Sequence, residues 1–387
     1  MILKKASVSV QPTIGITAFL LMTTITGSQA AYAQSSVTLY GILSEGISYV
    51  SNEGGKSNVK LVAGTDQNNR LGFRGVEDLG SGLKALFVLE NGFDPTTGAL
   101  QQGGRLFGRQ AFVGLSSATY GTVTLGRQYD VVFDDIALYE TAIGSAPGLG
   151  VNIGDNDNAY DSFRYNNSIK YVSPVIDGLQ GEVMYAMSNA SQWALNRSFG
   201  AGLSWDNKKN FKFGLMYLDI DRPGVGGNAN GAVTNDYVGA PFVLFHSSPL
   251  NANVGVERQQ VFGGGAQYSF SALQLSTMVT DVRYDYLDHT SLHLTNFDLS
   301  AAYYLTPTVA LTGGYIYTAG RYGGFSVASP HWHEAQVGID YFLSKRTDIY
   351  LYGDFVKSSA GEAVTYLFNP SSSDNQTAVV AGIRHKF

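Results

Sequence analysis

Val379-Val380-Ala381-Gly382-Ile383-Arg384-His385-Lys386-Phe387 alternates residue by residue. On an extended strand Val379, Ala381, Ile383, His385 and Phe387 share one face, and Val380, Gly382, Arg384 and Lys386 share the other, because successive side chains point to opposite sides. A strand of this kind that ends on an aromatic residue is what barrel closure requires: the last strand pairs with the first and leaves no open edge. Phe387 is therefore the expected closure residue. The same alternation would also suit an exported β-sandwich or β-propeller, with a core on one face and solvent on the other.

The pattern recurs upstream. Phe297, Leu299, Ala301, Tyr303 and Leu305 oppose Asp298, Ser300, Ala302 and Tyr304, and Leu311, Gly313, Tyr315 and Tyr317 oppose Thr312, Gly314, Ile316 and Thr318. Between them Thr306-Pro307-Thr308 reads as a tight turn, since proline fixes its backbone angle and cannot continue a ladder. Short connectors are expected at Asp78–Ser81, Ser117–Tyr120, Pro174–Gly178, Asp206–Asn210 and Ser344–Thr347. Long ones, rich in Gly, Asn, Ser and Asp, are expected near Ser51–Asn69, Asp130–Asp161, Asp221–Glu257, Gly320–His331 and Ser358–Gln376. Short turns at one end and long loops at the other is the pattern of a bacterial outer-membrane barrel. No fixed-period repeat is visible, which argues against a propeller or solenoid.

Composition agrees with strands: Gly 46, Tyr 24 and Phe 21 are high and charged residues make up 14% of the 387. Zero cysteines exclude a disulfide framework and any cysteine-based zinc or redox site. The first 33 residues read as an export signal, with Lys4 and Lys5, a mostly apolar Ile14–Ile25 and Ala31-Tyr32-Ala33 as the cleavage pattern. As a membrane anchor the apolar part is too short and is diluted by Gly15, Thr17, Thr23 and Thr24. The expected organisation is a signal peptide, 1–33, and a barrel, 34–387. Cleavage takes two lysines and no acid from 25 basic and 31 acidic residues, for a formal net charge of −8. That balance argues against a nucleic-acid partner. With no later run of about 18 apolar residues, a membrane-spanning chain must be a closed barrel.

Several segments together resemble the trimeric general porins of Gram-negative bacteria: Ser36-Val37-Thr38-Leu39-Tyr40-Gly41, Arg70 to Gly80, Gly108 to Leu115, Gly121 to Tyr129, Arg164 to Tyr171 and the final Phe387. The resemblance covers the mature chain and is densest before Pro174; it is weakest in Asp221–Glu257. It implies a homotrimer of all-β, 16-stranded antiparallel transmembrane barrels in the outer membrane, each narrowed by a third loop folded inward. Outer-membrane lipid, lipopolysaccharide, small hydrophilic solutes and ions are the implied partners. No cofactor and no catalysis are implied.

Selectivity in such a pore comes from its diameter and from rings of charge. Parity turns Arg70 and Arg74 away from Leu71 and Phe73, toward the lumen, and the same logic turns Arg109 inward beside an outward Phe112. The family's basic wall matches at Arg70, Arg109 and Arg164, with Arg74, Lys84, Arg105 and Arg127 as secondary candidates. Arginine on a lipid face costs about 2–4 kcal/mol at the membrane centre, which favours the lumen reading. The inserted loop, Asp130–Asp161, should oppose this wall with Asp134, Asp135 and Glu140. The same acids could instead pair with wall arginines to hold the loop. The expected function is passive diffusion with a weak lean toward anions; a substrate-specific channel is the alternative.

Other motifs are weaker. Asp155-Asn156-Asp157-Asn158-Ala159-Tyr160-Asp161 has calcium-like oxygen spacing but lacks a closing glutamate, and reads as a solvated loop tip. His289 and His293 lie roughly 13 Å apart on a strand, too far for one metal. His331-Trp332-His333 reads as a strand end near an aromatic girdle.

Overall fold

The apolar strand faces are the exposed ones. In the computed structural model, which describes residues 35–225, 230–239 and 242–387, Phe297, Leu299, Tyr303 and Leu305 are 42–53% exposed, while Asp298, Ser300 and Ala302 between them are buried. Val337, Leu351 and Phe355 repeat this beside buried Gln336 and Asp354. A β-sandwich would hide the apolar face. Apolar residues outside and polar ones inside mark a sheet with hydrocarbon around it. The expected signal peptide, 1–33, lies outside the described residues.

The strands are β1 (Ser36–Glu53), β2 (Lys56–Ala63), β3 (Arg70–Gly80), β4 (Leu83–Asp94), β5 (Ala99–Leu100), β6 (Gln110–Ser117), β7 (Gly121–Gln128), β8 (Tyr165–Val172) and β9 (Leu179–Ala186). They continue with β10 (Arg197–Asp206), β11 (Phe211–Asp221), β12 (Val256–Phe270), β13 (Leu273–Tyr286), β14 (Ser291–Thr306), β15 (Val309–Gly323), β16 (His331–Phe342), β17 (Thr347–Ser359) and β18 (Asn375–Lys386). Neighbours pair antiparallel, and β1 pairs with β18 from Ile42↔Lys386 to Val50↔Ala378, so the sheet closes. Beyond the last strand, Phe387 and Gly41 exchange both backbone hydrogen bonds at 3.1 Å.

Sixteen staves make the wall. β2 and β3 share one side of β1, which meets β2 along Glu45–Glu53 and β3 along Ser36–Ile42, and β5 pairs only with the end of β4. No helix among the described residues is long and apolar enough to cross a membrane.

Ser51–Asn69 is not the single long loop expected from its polar composition. β1 and β2 turn tightly at Gly54-Gly55, whose φ of +60° and +103° suit a hairpin, and Val59 and Leu61 face outward on β2. The chain then folds inward over 64–69: Thr65, Asp66 and Asn69 are buried, and the Ser44 N–H donates to Asn69 Oδ1 at 2.6 Å. The loop expected over Gly320–His331 is shorter, because β15 continues to Gly323. His331 begins β16 at a strand end as expected, but Trp332 turns inward and packs on Phe245, 5.9 Å between ring centroids.

Three connectors fill much of the interior. The first, between β7 and β8, is the expected third loop. The second, between β11 and β12, carries the short helix α2 (Asn235–Gly239); buried Tyr237 stacks on His246 at 3.7 Å and meets Phe163 at 4.9 Å. The third, between β17 and β18, buries Ala363, Val364, Tyr366 and Phe368, with Tyr366 4.7 Å from Tyr160.

Candidate pore constriction

The β7–β8 connector begins with a five-residue helix, α1 (Val131–Asp135), capped by Asp130, whose Oδ1 accepts the Phe133 N–H at 3.0 Å. Val131, Val132 and Ile136 are fully buried and pack on the barrel wall. Close approach is possible where the wall has glycine. A Cβ on Gly265 of β12 would lie 2.4 Å from the Tyr139 ring, and one on Gly314 of β15 would lie 2.2 Å from Thr141. Polar contacts then fix the rest. The Thr141 N–H and hydroxyl donate to Asp298 Oδ1 at 3.2 and 3.1 Å, the Gly150 N–H to Gln336 Oε1 at 2.6 Å, and Thr280 Oγ1 to Asp157 Oδ2 at 2.6 Å.

This packing has a direct test. Gly265→Val should lift Tyr139 from β12, cost roughly 1–3 kcal/mol as overpacking does, and raise single-channel conductance in a planar bilayer. Conductance unchanged from wild type would mean that the loop does not depend on this contact.

Against the loop lies a cavity of about 220 Å³, lined on one side by Arg70, Arg109, Arg384 and Lys386, and on the other by Phe133, Ala142, Ile143, Pro147 and Tyr160, with Asp66, Gln67 and Asn68 from the inward fold. Arg70 Nε donates to the Asn68 carbonyl at 3.1 Å. Among the described residues, no carboxylate lies within ion-pair distance of Arg70 or Lys386. Arg384 is paired, with Asp66 and with Asp348 at 3.0 Å.

The other sequence candidates separate. Arg109 and Arg164 meet at Asp161: Arg109 Nη2 lies 3.4 Å from Asp161 Oδ2, and Arg164 pairs with the same oxygen. Arg109 also donates to Glu90 and to the Tyr129 hydroxyl, both at 2.8 Å, and Tyr129 and Tyr40 donate to Glu90 at 2.7 and 2.8 Å. Both arginines are 1% exposed. Of the pair, Arg109 lines the cavity. Arg127 is buried and pairs with Asp236 of α2, which also draws Arg105 to 3.8 Å. Arg74 is exposed, its guanidinium 5.5 Å from the Tyr40 ring centre, and Lys84 is exposed.

None of the three acids proposed from the sequence lines the cavity beside Arg70. Asp134 pairs with Lys170, and together with Asp135 and Glu182 they line a different cavity of about 340 Å³. Asp135 lies against Gly202; burial and the neighbouring Asp134 push its pKa up to about 7. Glu140 is fully buried, and burial together with Asp155, Asp157 and Asp298 raises its pKa. Asp155–Asp161 is not a solvated tip. Every residue in it is buried, because the Asp155 carboxylate caps the Tyr160 and Ser162 N–H groups at 3.0 and 2.9 Å and the segment lies folded within the barrel. Arg384 and Lys386 were missed as site residues. Their inward face was readable from the alternation of the last strand, but their approach to Arg70 depends on closure.

A Gram-negative porin family model matches residues 17–361. The chain is 30% identical to an outer membrane porin protein of Bordetella pertussis, over 92% of this chain and 96% of that one, and 27% identical to outer membrane porin protein 32 of Delftia acidovorans, over 94% and 97%. Among solved structures it resembles the anion-selective porin from Comamonas acidovorans, with a TM-score of 0.74 and 24% identity over 92% of this chain and 100% of that one. It also resembles the trimer form of OmpT from Vibrio cholerae, with a TM-score of 0.66 and 13% identity over 91% and 99%. By its closed sixteen-stave wall, its interior loop and these likenesses, the chain belongs to the Gram-negative porin family of outer-membrane proteins.

Proposed function

We propose that the mature chain is a general diffusion porin that passes small hydrophilic solutes and ions passively across the outer membrane, with a preference for anions set by Arg70, Arg109, Arg384 and Lys386. The observation that carries the reading is the pair of cations, Arg70 and Lys386, facing the cavity opposite the apolar side chains Ile143 and Pro147. A fixed positive field at a narrow opening attracts anions and repels cations, and low-dielectric walls focus it. The anion-selective porin of similar fold supports this sign. A solute that cannot exchange ordered water for these charges passes slowly.

The reading includes a homotrimer, as in the trimer form of the Vibrio cholerae neighbour, and contact of the outward apolar band with lipid and lipopolysaccharide. It also includes a cleaved signal, 1–33, and no catalytic role. Planar-bilayer recording tests it. Ohmic, non-saturating current with an anion-side reversal potential is the expected result. Current that saturates and is blocked by one sugar or by phosphate would replace general diffusion with a substrate-specific channel, and no current would overturn both.

A further inference from the structure

Glu140, Asp155 and Asp157 come together where the β7–β8 connector doubles back on the wall, each offering one oxygen, and these oxygens lie within 4.8 Å of one another. All three side chains are buried. Among the described residues none of them, nor neighbouring Asp298, forms an ion pair with a lysine or arginine. Buried carboxylates without a counter-charge are costly.

Two further oxygens point to what is needed there. Asn152 is fully buried between these acids: its N–H donates to Glu140 Oε1 at 3.3 Å and its amide N–H to Asp157 Oδ2 at 2.8 Å, which leaves its amide oxygen without a donor. Asp298 reaches in from β14 to bind Thr141 through one oxygen, and its other oxygen has no partner. The second oxygen of Glu140 is also unpartnered. Unsatisfied buried acceptors on two separate elements, among like charges, call for a cation rather than another acceptor.

We propose that this cluster is a calcium site, with Glu140, Asp155, Asp157, Asn152 and Asp298 as its oxygen ligands, which clamps the constriction loop to the wall. The donor set is all oxygen, which selects a hard cation over zinc or copper. Calcium tolerates an irregular set of six to eight oxygens at about 2.3–2.6 Å, whereas magnesium demands a near-ideal octahedron and keeps its waters.

The test uses the full mature chain refolded in detergent free of lipopolysaccharide, so that no lipid-bound ion is counted, then stripped with EDTA and titrated calorimetrically with CaCl₂. The expected result is about one ion per chain with a Kd on the order of 10⁻⁴ to 10⁻³ M, and at least about tenfold weaker binding of MgCl₂. Glu140→Gln should weaken calcium binding by about tenfold or more, whereas Asp374→Asn, at an exposed loop acid, should leave it unchanged. Asp157→Asn disturbs the contact with Thr280 as well, so Glu140→Gln, whose second oxygen has no partner to lose, decides where the aspartate variant fails to fold. Folded wild-type chain that takes up no calcium at millimolar concentration overturns the site, as does a Glu140→Gln chain that binds like wild type. Equal affinity for magnesium overturns the calcium assignment.

Discussion

The double variant Arg70→Glu, Lys386→Glu should turn an anion-preferring pore into a cation-preferring one. Two unit charges about 4 Å apart interact by about 1 kcal/mol in bulk water and about 4 kcal/mol at an effective dielectric of 20. A water-filled opening walled by protein lies between these limits. Reversing a charge doubles the effect, and it acts with opposite sign on anions and cations, so the permeability ratio should change by at least about tenfold. Acids at the outer mouth do not compensate, since the screening length is only about 8 Å at physiological salt. Among the described residues Arg70 makes one side-chain hydrogen bond, to the Asn68 carbonyl, and neither it nor Lys386 has an ion pair. The double variant should therefore fold, and its reversal potential in a KCl gradient reads the result. An unchanged potential removes both side chains from the constriction.

The closed barrel was legible because membrane strands carry a two-residue period that survives without any tertiary information. Phe297 to Leu305 shows it in sequence, and in the structure Phe297, Leu299, Tyr303 and Leu305 are exposed and Asp298, Ser300 and Ala302 buried, with Tyr304, beside the turn, exposed against the pattern. The inward face of Arg70 was legible for the same reason, but that of Arg109 was not. Phe112, expected to face outward, lines the interior cavity with Asp134 and Lys170, while Val113 and Leu115 face out, and Arg109 precedes β6 and is held by Glu90 and Asp161. What the period cannot report is which inward side chains meet. Arg384 and Arg70 lie 314 positions apart and share a cavity only because β18 closes on β1 and the chain folds inward over 64–69. The loop acids were harder still. A connector has no parity, so the orientations of Asp134, Asp135 and Glu140 are set by which wall glycines leave room and which wall amides capture the backbone, as Gln336 does at Gly150. The inward course of 230–239 and 242–248 left no sequence signal that composition could separate from an exposed loop. Its anchors, among them Asp236 on Arg127, Tyr237 on Phe163 and Phe245 on Trp332, are long-range contacts.

Asp161→Ala should be among the most destabilising single changes in the interior. Among the described residues Asp161 is the one carboxylate within ion-pair distance of Arg164, and it shares Arg109 with Glu90. Once it is gone, Arg109 keeps Glu90 and the Tyr129 hydroxyl, but among the described residues the Arg164 side chain keeps only the Ser162 carbonyl at 3.5 Å and the face of Tyr129 at 5.5 Å. A buried charge left without its partner costs about 3–5 kcal/mol, more than either guanidinium can recover by turning, since both arginines are 1% exposed. The cost should fall on the end of the loop where it rejoins β8, and from there on Phe163 and Tyr237, which pack on it. Urea unfolding in detergent, followed by tryptophan fluorescence, to which the buried Trp332 contributes, should show a lower midpoint with little change in slope. The paired change Asp161→Ala, Arg164→Met separates charge from packing: replacing both partners with apolar groups should recover most of the loss. A single variant that unfolds at the wild-type urea concentration would mean that the loop is seated by its apolar and glycine contacts alone, and that the shared aspartate serves only to neutralise the wall.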